Sequence, residues 1–326
     1  MKRVLSTIGA FLMLAALVIA VTGCSSQSSS KQKQSRTPYI LSTNRMIHDC
    51  VKVVVGDSVQ CNVLINGELD PHSYEIVKGD SDKIAGADLI FCCGLGLEHT
   101  LSMRKLLEGN PKVVSLGDRL AEEKKFKVLC DEGVMDPHIW LDVGIWKHVA
   151  HEIARSLSKI YPELSSTFFS NADNLLEAMD KLDAWAKQSI GSVPLNKRFL
   201  VTGHSAFNYF SYSYLAIDKE REDGSWRKRC TSPEGVSPEV QIGIRDIIRV
   251  ADYICEHCVE VVFPEESLSQ DSLKKIVSCL KKKHPLRLSK RPIYSDNIPV
   301  GGTYFDMFKH NIVLITEELG GKVADF

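Results

Sequence analysis

Three histidines and one aspartate lie in four distant segments of this chain, and they set the strongest condition on its fold. His72 and His138 each follow an Asp-Pro pair, His204 follows a glycine, and Asp296 lies in Tyr-Ser-Asp-Asn. Proline and glycine favour turns, so each histidine is predicted to sit in a fixed loop. Three imidazoles and one carboxylate complete the first coordination shell of one divalent transition metal ion. The sequence therefore predicts that these four side chains meet at one point.

The donor types restrict which ion this site would hold. Neutral imidazole and carboxylate together suit zinc, iron(II), manganese or cobalt, and they suit calcium poorly. No cysteine stands in any of the four segments, so a thiolate zinc site is not predicted. Asp70 and Asp136 each lie two residues before a histidine. We interpret both as candidates to accept the second ring N–H of that histidine and so orient its imidazole.

The N-terminus has the organisation of a lipoprotein signal. Lys2 and Arg3 precede an apolar run over residues 4–21, and Val21-Thr22-Gly23-Cys24 reads as a lipobox. A short transmembrane anchor would fit the length of the apolar run, but the cysteine and the serine-rich segment behind it favour a lipoprotein. We therefore predict a signal peptide over residues 1–23, a lipid-modified Cys24 and a flexible tether over residues 24–37. The mature protein would stand in the periplasm, on the outer face of the cytoplasmic membrane.

Beyond the tether, short apolar runs alternate with amphipathic segments, which predicts an α/β fold with parallel-type sheets flanked by helices. The segments predicted as helices include residues 143–159, 205–212, 238–257 and, longest of all, 163–190. At the α-helical rise this last helix would span about 42 Å. The highly charged stretch over residues 218–231 is interpreted as a solvated loop that Cys230 could pin.

The cysteines and the charge balance limit other functions. The chain has ten cysteines, and Cys230 and Cys279 are the better candidates for a disulfide in an oxidising compartment. The net charge of −1 argues against nucleic acid as a partner.

The segments around the four candidate ligands resemble the metal-binding receptors of cluster 9 (A-I) ABC importers, the zinc, manganese and iron solute-binding lipoproteins. The resemblance runs from about residue 38 to the C-terminus. It rests on these motifs: His72-Ser-Tyr-Glu, Asp-Pro-His138-Ile-Trp-Leu-Asp, Gly-His204-Ser-Ala-Phe-Asn-Tyr-Phe, Asp296, Gly94-Leu-Gly-Leu-Glu98 and Ser237-Pro-Glu239. The Asp-Pro-His-Ser-Tyr-Glu and Ser-Pro-Glu-Gly segments resemble an iron-binding subgroup of that family.

The resemblance implies an architecture and partners. It implies an N-terminal lobe over residues 38–161, a rigid linking helix over 162–191 and a C-terminal lobe over 192–326, with the metal site in the cleft between the lobes. His72 and His138 would come from the first lobe, and His204 and Asp296 from the second. The cargo would be one transition metal ion, with iron favoured and zinc or manganese left open. The partners would be the permease and ATPase subunits of an ABC importer, and the receptor would be a monomer.

Two other functions fit parts of the sequence. A zinc-dependent metalloenzyme would need an open metal position and a general base at a known spacing from the ligands, and the chain has no His-Glu-x-x-His motif. Glu75, Glu265 and Glu266 could serve as bases, but their default interpretation is that of surface carboxylates. A metal-binding adhesin follows only from labels given to relatives. A complete four-ligand cage leaves no position for substrate, which favours capture of a metal over catalysis.

Overall fold

The computed structural model describes residues 38–67, 69–131, 133–237, 242–282 and 284–326. The predicted signal peptide, Cys24 and the tether lie outside these ranges. Within them, no helix is both long enough and apolar enough to cross a membrane.

The first half of the described chain is built on a parallel sheet with strand order β2-β1-β3-β4. Helices connect these strands because parallel neighbours need a crossover. The strands are β1 Tyr39–Ser42, β2 Gln60–Val63, β3 Leu89–Cys92 and β4 Val113–Ser115, and the helices are α1 Arg45–Val55, α2 Asp80–Gly86, α3 Leu101–Leu107 and α4 Leu116–Glu122. All four residues of β3 are buried, as expected of a central parallel strand.

The second half repeats the same strand order. Strands β7 Leu200–Val201 and β8 Cys230–Thr231 pair in parallel, as do β9 Val261–Val262 and β10 Arg287–Leu288. The backbone N–H of Phe263 donates to the carbonyl of Val201 at 2.8 Å and joins the two pairs. The resulting order, β8-β7-β9-β10, again places the first strand between the second and the third. The two-lobe α/β architecture predicted from the sequence is confirmed.

The long helix is also confirmed. A 3₁₀ turn over Pro162–Leu164 leads into α7, which runs over Ser165–Gly191. Phe168, Ala172, Leu175, Met179 and Leu182 are buried at spacings of three and four, so one stripe of α7 faces the core. This stripe packs on α1 and on α6, which runs over His148–Ile160.

The remaining elements of the described ranges are one hairpin, several short turns and six helices. They are the antiparallel hairpin β5 Cys130–Asp131 and β6 Val134–Met135, the 3₁₀ turns Ile139–Leu141, Leu195–Lys197 and Ser225–Arg229, the π turn Ser211–Leu215, and the helices α5 Val143–Trp146, α8 Asn208–Phe210, α9 Asp218–Asp223, α10 Ile244–Glu256, α11 Asp271–Leu280 and α12 Tyr304–Glu318. Residues 143–159, predicted as one helix, are therefore split between α5 and α6. Of the helix predicted over residues 238–257, the part from Ile244 is observed, and residues 238–241 lie outside the described ranges.

The charged stretch over residues 218–231 is folded rather than a solvated loop. It contains α9, a 3₁₀ turn and β8. Arg229 is only 5% exposed, because its guanidinium pairs with Glu220 at 2.6 Å and lies over the ring of Phe199 at 4.7 Å. The predicted Cys230–Cys279 disulfide is not formed, and both thiols are free. Cys230 packs against the core, whereas Cys279 is exposed on α11, so ion pairing rather than a disulfide stabilises this segment.

Candidate metal centre

The four predicted ligands lie in loops that follow strands or bridges. His204 comes three residues after β7, and His72 comes in the loop after β2. His138 follows the β5–β6 hairpin and precedes the 3₁₀ turn Ile139–Leu141. Asp296 follows Ile293, which forms a parallel bridge with Glu265 beyond the end of β9. Ligands commonly bind beyond the carboxyl ends of parallel strands, and here both sheets contribute to the same place.

The structure brings His72, His138, His204 and Asp296 together, with one donor atom from each within 4.8 Å of the others. Nε2 of His138 lies 3.1 Å from Nε2 of His72 and 3.2 Å from Nε2 of His204. The carboxylate oxygens of Asp296 lie 3.2 Å from Nε2 of His138 and 3.3 Å from Nε2 of His204. A tetrahedral ion with ligands at 2.1 Å has donor–donor edges of about 3.4 Å. The spacing therefore suits one small metal ion.

Two buried carboxylates orient two of the imidazoles in the same way. Asp136 Oδ1 lies 2.7 Å from His138 Nδ1 and accepts the backbone N–H of His138 at 2.9 Å. Glu265 Oε2 lies 2.7 Å from His204 Nδ1, and its Oε1 accepts the backbone N–H of His204 at 2.9 Å. A carboxylate only accepts, so each Nδ1 carries a proton, and once the imidazole is neutral its Nε2 lone pair faces the shared point. Both rings are thus prepared to bind a metal.

His72 is held differently, and the orienting role predicted for Asp70 is wrong. Asp70 accepts the backbone N–H of His72 at 2.8 Å, but its other oxygen accepts the hydroxyl of Ser73 at 2.8 Å. The neighbour of His72 Nδ1 is the hydroxyl of Ser237 at 3.3 Å. Asp70 therefore shapes the loop and leaves the imidazole to a neutral partner, while the rest of the Ser237-Pro-Glu239 motif lies outside the described residues.

The sequence interpretation of Glu265 as a surface carboxylate is also wrong. Glu265 is 2% exposed and accepts the N–H groups of both Gly203 and His204. Its position three residues after β9 indicates a place near the carboxyl edge of the sheet, but not which group it contacts. The sequence places no histidine nearby, so the pairing depends on strand order, which a single sequence does not reveal.

Burial and charge act differently on the four groups. Burial would lower the pKa of His138, but Asp136 and Asp296 outweigh it and raise that pKa to about 10. Burial also opposes protonation of His204, yet Glu265 and Asp296 raise its pKa. Burial lowers the pKa of His72 well below its usual value despite Asp296. Burial would raise the pKa of Asp296, but the neighbouring His204 and His138 hold it well below its usual range. Asp296 is therefore a permanent anion at the centre of the cluster.

Replacing Glu265 by glutamine is expected to lower metal affinity about ten- to hundredfold, the usual cost of losing a carboxylate behind a ligating histidine. Glutamine keeps an oxygen for the backbone N–H groups but loses the charge that fixes the His204 tautomer. Competition with a chelator measures the effect. The control is Glu152→Gln, which removes an equally buried carboxylate that pairs with Arg119 away from the cluster. Equal affinity of Glu265→Gln and wild type would exclude the orienting role.

Known proteins with similar sequences are metal-binding proteins. The family model described as zinc-uptake complex component A, periplasmic (ZnuA), matches residues 40–318. Metal-binding protein YtgA of Chlamydia pneumoniae is 56% identical over 299 residues, which cover 92% of this chain and 90% of that protein. Manganese-binding lipoprotein MntA of Bacillus subtilis is 29% identical over 305 residues, with 92% and 95% covered.

Solved structures agree with these sequence matches. The crystal structure of Fe(III)-bound YtgA from Chlamydia trachomatis is 54% identical, with a TM-score of 0.86, and covers 89% of this chain and 100% of that one. The periplasmic zinc-binding protein TroA from Treponema pallidum is 27% identical, with a TM-score of 0.78 and coverages of 87% and 99%. These relatives are described as binding iron, manganese or zinc, all ions that the donor set suits.

Proposed function

Because this chain belongs to the ZnuA family of periplasmic metal-binding receptors, we propose that it captures one transition metal ion through His72, His138, His204 and Asp296 and delivers it to an ABC importer. The observation that carries this proposal is the convergence of four buried donor atoms, all within 4.8 Å of one another. The partners are the permease and ATPase of that importer, and the receptor acts as a monomer. Iron is the proposed cargo.

Charge balance supports iron, and in particular its trivalent form. Three carboxylates act at the cluster: Asp296 as a ligand, and Asp136 and Glu265 behind two histidines. Several carboxylates gathered at one buried site favour a cation of higher charge, because a buried charge without a counter-charge costs free energy. The 54% identical YtgA structure is described as Fe(III)-bound, in accord with this balance.

The proposal assigns no catalysis and no adhesion. The carboxylates nearest the cluster, Asp136 and Glu265, are both engaged with imidazoles through Nδ1, so neither is aimed at a metal-bound water. A hydrolase would need such a base. An adhesin would retain its role without a permease, so the transport experiment below separates it from a receptor.

The test is to isolate the protein from its native source, determine its metal content by elemental analysis and measure ⁵⁵Fe uptake in cells with and without the permease. We expect about one equivalent of iron per chain and uptake that requires both proteins. The matched variant is His138→Ala, which should carry no iron and support no uptake. Metal-free native protein, or uptake that persists without the receptor, would overturn the proposal.

We also propose that Cys24 carries the membrane anchor, on the strength of the Val21-Thr22-Gly23-Cys24 lipobox. Cys24→Ser should block lipidation and release the protein from the membrane fraction, while metal affinity stays unchanged because Cys24 is far from the ligands in sequence. Detergent partitioning and mass spectrometry of the mature N-terminus measure this. An unmodified N-terminus at a later residue in the wild type would contradict it.

A further inference from the structure

The backbone around Asp296 is held by side chains from the first half of the chain. The indole Nε1–H of Trp140 donates to the carbonyl of Ser295 at 2.6 Å, directly before the aspartate. After it, Nη1 of Arg45 donates to the carbonyl of Ile298 at 2.8 Å, and Nη2 reaches the carbonyl of Gly302 at 3.5 Å. Asp296, the only anionic candidate ligand, is thus flanked on both sides by hydrogen-bond donors from the first half of the chain.

Helix α1 also holds the point where this loop ends. Asp49, one turn beyond Arg45 on α1, accepts the backbone N–H of Tyr304 at 2.9 Å. Tyr304 is the first residue of α12, and its hydroxyl donates to the carbonyl of Trp140 at 2.7 Å. Residues four apart lie on one face of a helix, so a single face of α1 contacts Ile298, Gly302 and Tyr304.

The second half of the chain holds the residues next to Asp296. Asn297 donates through Nδ2 to Glu266 at 2.9 Å, and Asn311 exchanges two hydrogen bonds with the backbone of Tyr294. The Asp296 loop therefore lies between two sets of contacts. Among these side chains, only Arg45 donates to two carbonyls of the loop that follows Asp296. Its planar guanidinium can do so because its donors form a fixed fork.

We propose that Arg45 is a positioning residue for Asp296. By binding the carbonyls of Ile298 and Gly302, Arg45 fixes the Asp296 carboxylate next to His138. The inference rests on the proposed function, because it assigns a role in the same metal site. Arg45 touches no ligand itself. It acts on the carboxylate through the backbone that links Asp296 to Ile298 and Gly302, so the strength of the site depends on a helix that contributes no ligand.

The experiment uses Co²⁺ as the probe, because its visible d–d bands report the number and kind of ligands. Arg45→Met keeps the length of the side chain and removes its donors. We expect it to weaken Co²⁺ binding about ten- to hundredfold, as does the loss of other groups behind a ligand. Its Co²⁺ spectrum should move toward that of Asp296→Asn. Arg45→Lys restores one donor without the fork and should give an intermediate affinity.

The matched control is Arg198→Met. Arg198 is half-buried like Arg45 and donates to two backbone carbonyls, those of Val193 at 2.8 Å and Gly191 at 2.6 Å, in a turn that carries no candidate ligand. It should bind Co²⁺ as the wild type does.

A double-mutant cycle separates positioning from loss of folding. In an Asp296→Asn background, Arg45→Met should change the affinity by less than about twofold.

The outcomes distinguish the inference from the proposed function. Wild-type affinity and spectrum in Arg45→Met, or an equal loss in both backgrounds, would overturn the positioning role and leave the proposed function standing. Failure of the wild type to bind Co²⁺ would overturn both. A loss in Arg45→Met that disappears without the Asp296 carboxylate supports the inference.

Discussion

Asp296→Asn is expected to lower metal affinity by about a thousandfold, more than the roughly ten- to hundredfold cost of losing a group behind a ligand. Asparagine has nearly the same shape, so the four segments should still converge. The substitution removes the charge that lies 3.2 Å from Nε2 of His138 and 3.3 Å from Nε2 of His204. Coulomb attraction scales with the charge of the ion, so the loss should be larger for Fe³⁺ than for Zn²⁺.

Titration of both ions against competing chelators measures this difference. Asp183→Asn is the control. Asp183 lies on α7, accepts a hydrogen bond from the Tyr214 hydroxyl at 2.8 Å and contacts none of the four ligands. It should leave affinity for both ions unchanged. Equal losses for Fe³⁺ and Zn²⁺ in Asp296→Asn would contradict the charge argument, and no loss for either ion would remove Asp296 from the site.

The ligands could be predicted from the sequence because each stands in a short motif of turn-forming residues. Pro71 and Pro137 restrict the backbone next to their histidines, Gly203 favours a turn before His204, and these local signals are visible without knowing the fold. The orienting role of Asp136 is equally local, since the structure places its carboxylate 2.7 Å from a histidine two residues away. Asp70 has the same spacing, yet Ser73 takes its second oxygen, so local spacing alone did not decide its role.

Glu265 and Arg45 could not be predicted because their partners are distant in sequence. Glu265 reaches His204 across two neighbouring strands of the second sheet, and Arg45 reaches Ile298 from the other half of the chain. Both contacts depend on strand order and helix packing. A charged residue in a sequence is usually exposed, so the general expectation favours a surface position until the fold is known.

The helix predicted over residues 205–212 illustrates how packing overrides a local pattern. The structure has the short helix α8 followed by a π turn, with the N–H of Ala216 donating to the carbonyl of Ser211. In this register the Tyr214 hydroxyl accepts the N–H of Val143 at 3.0 Å and donates to Asp183. Such π turns are uncommon and follow from tertiary contacts, so the helical pattern of the sequence indicated the region but not its geometry.

Metal capture should be strongly coupled to proton release. In the metal-free protein Asp136 and Asp296 raise the pKa of His138 to about 10, so its imidazole is protonated at pH 7.5, and the raised pKa of His204 acts in the same direction. An imidazolium cannot ligate, so the ion must displace these protons. His72, whose pKa is lowered, offers its lone pair without that cost. Protons therefore compete with the metal, and affinity must fall as the pH falls.

Each displaced proton changes affinity about tenfold per pH unit, so lowering the pH from about 7.5 to 5 should weaken Zn²⁺ binding by at least about 300-fold. Calorimetry at pH 7.5 in buffers of different ionisation enthalpy should find one to two protons released per ion, by the same linkage. Asp136→Asn removes the carboxylate that contributes most to raising the His138 pKa, so it should release about one proton fewer and flatten the pH dependence. It also loses orientation of the His138 ring, so its affinity at pH 7.5 should not exceed that of the wild type. Affinity that is the same at both pH values, or proton release that Asp136→Asn leaves unchanged, would show that the buried carboxylates do not hold these imidazoles in their protonated form.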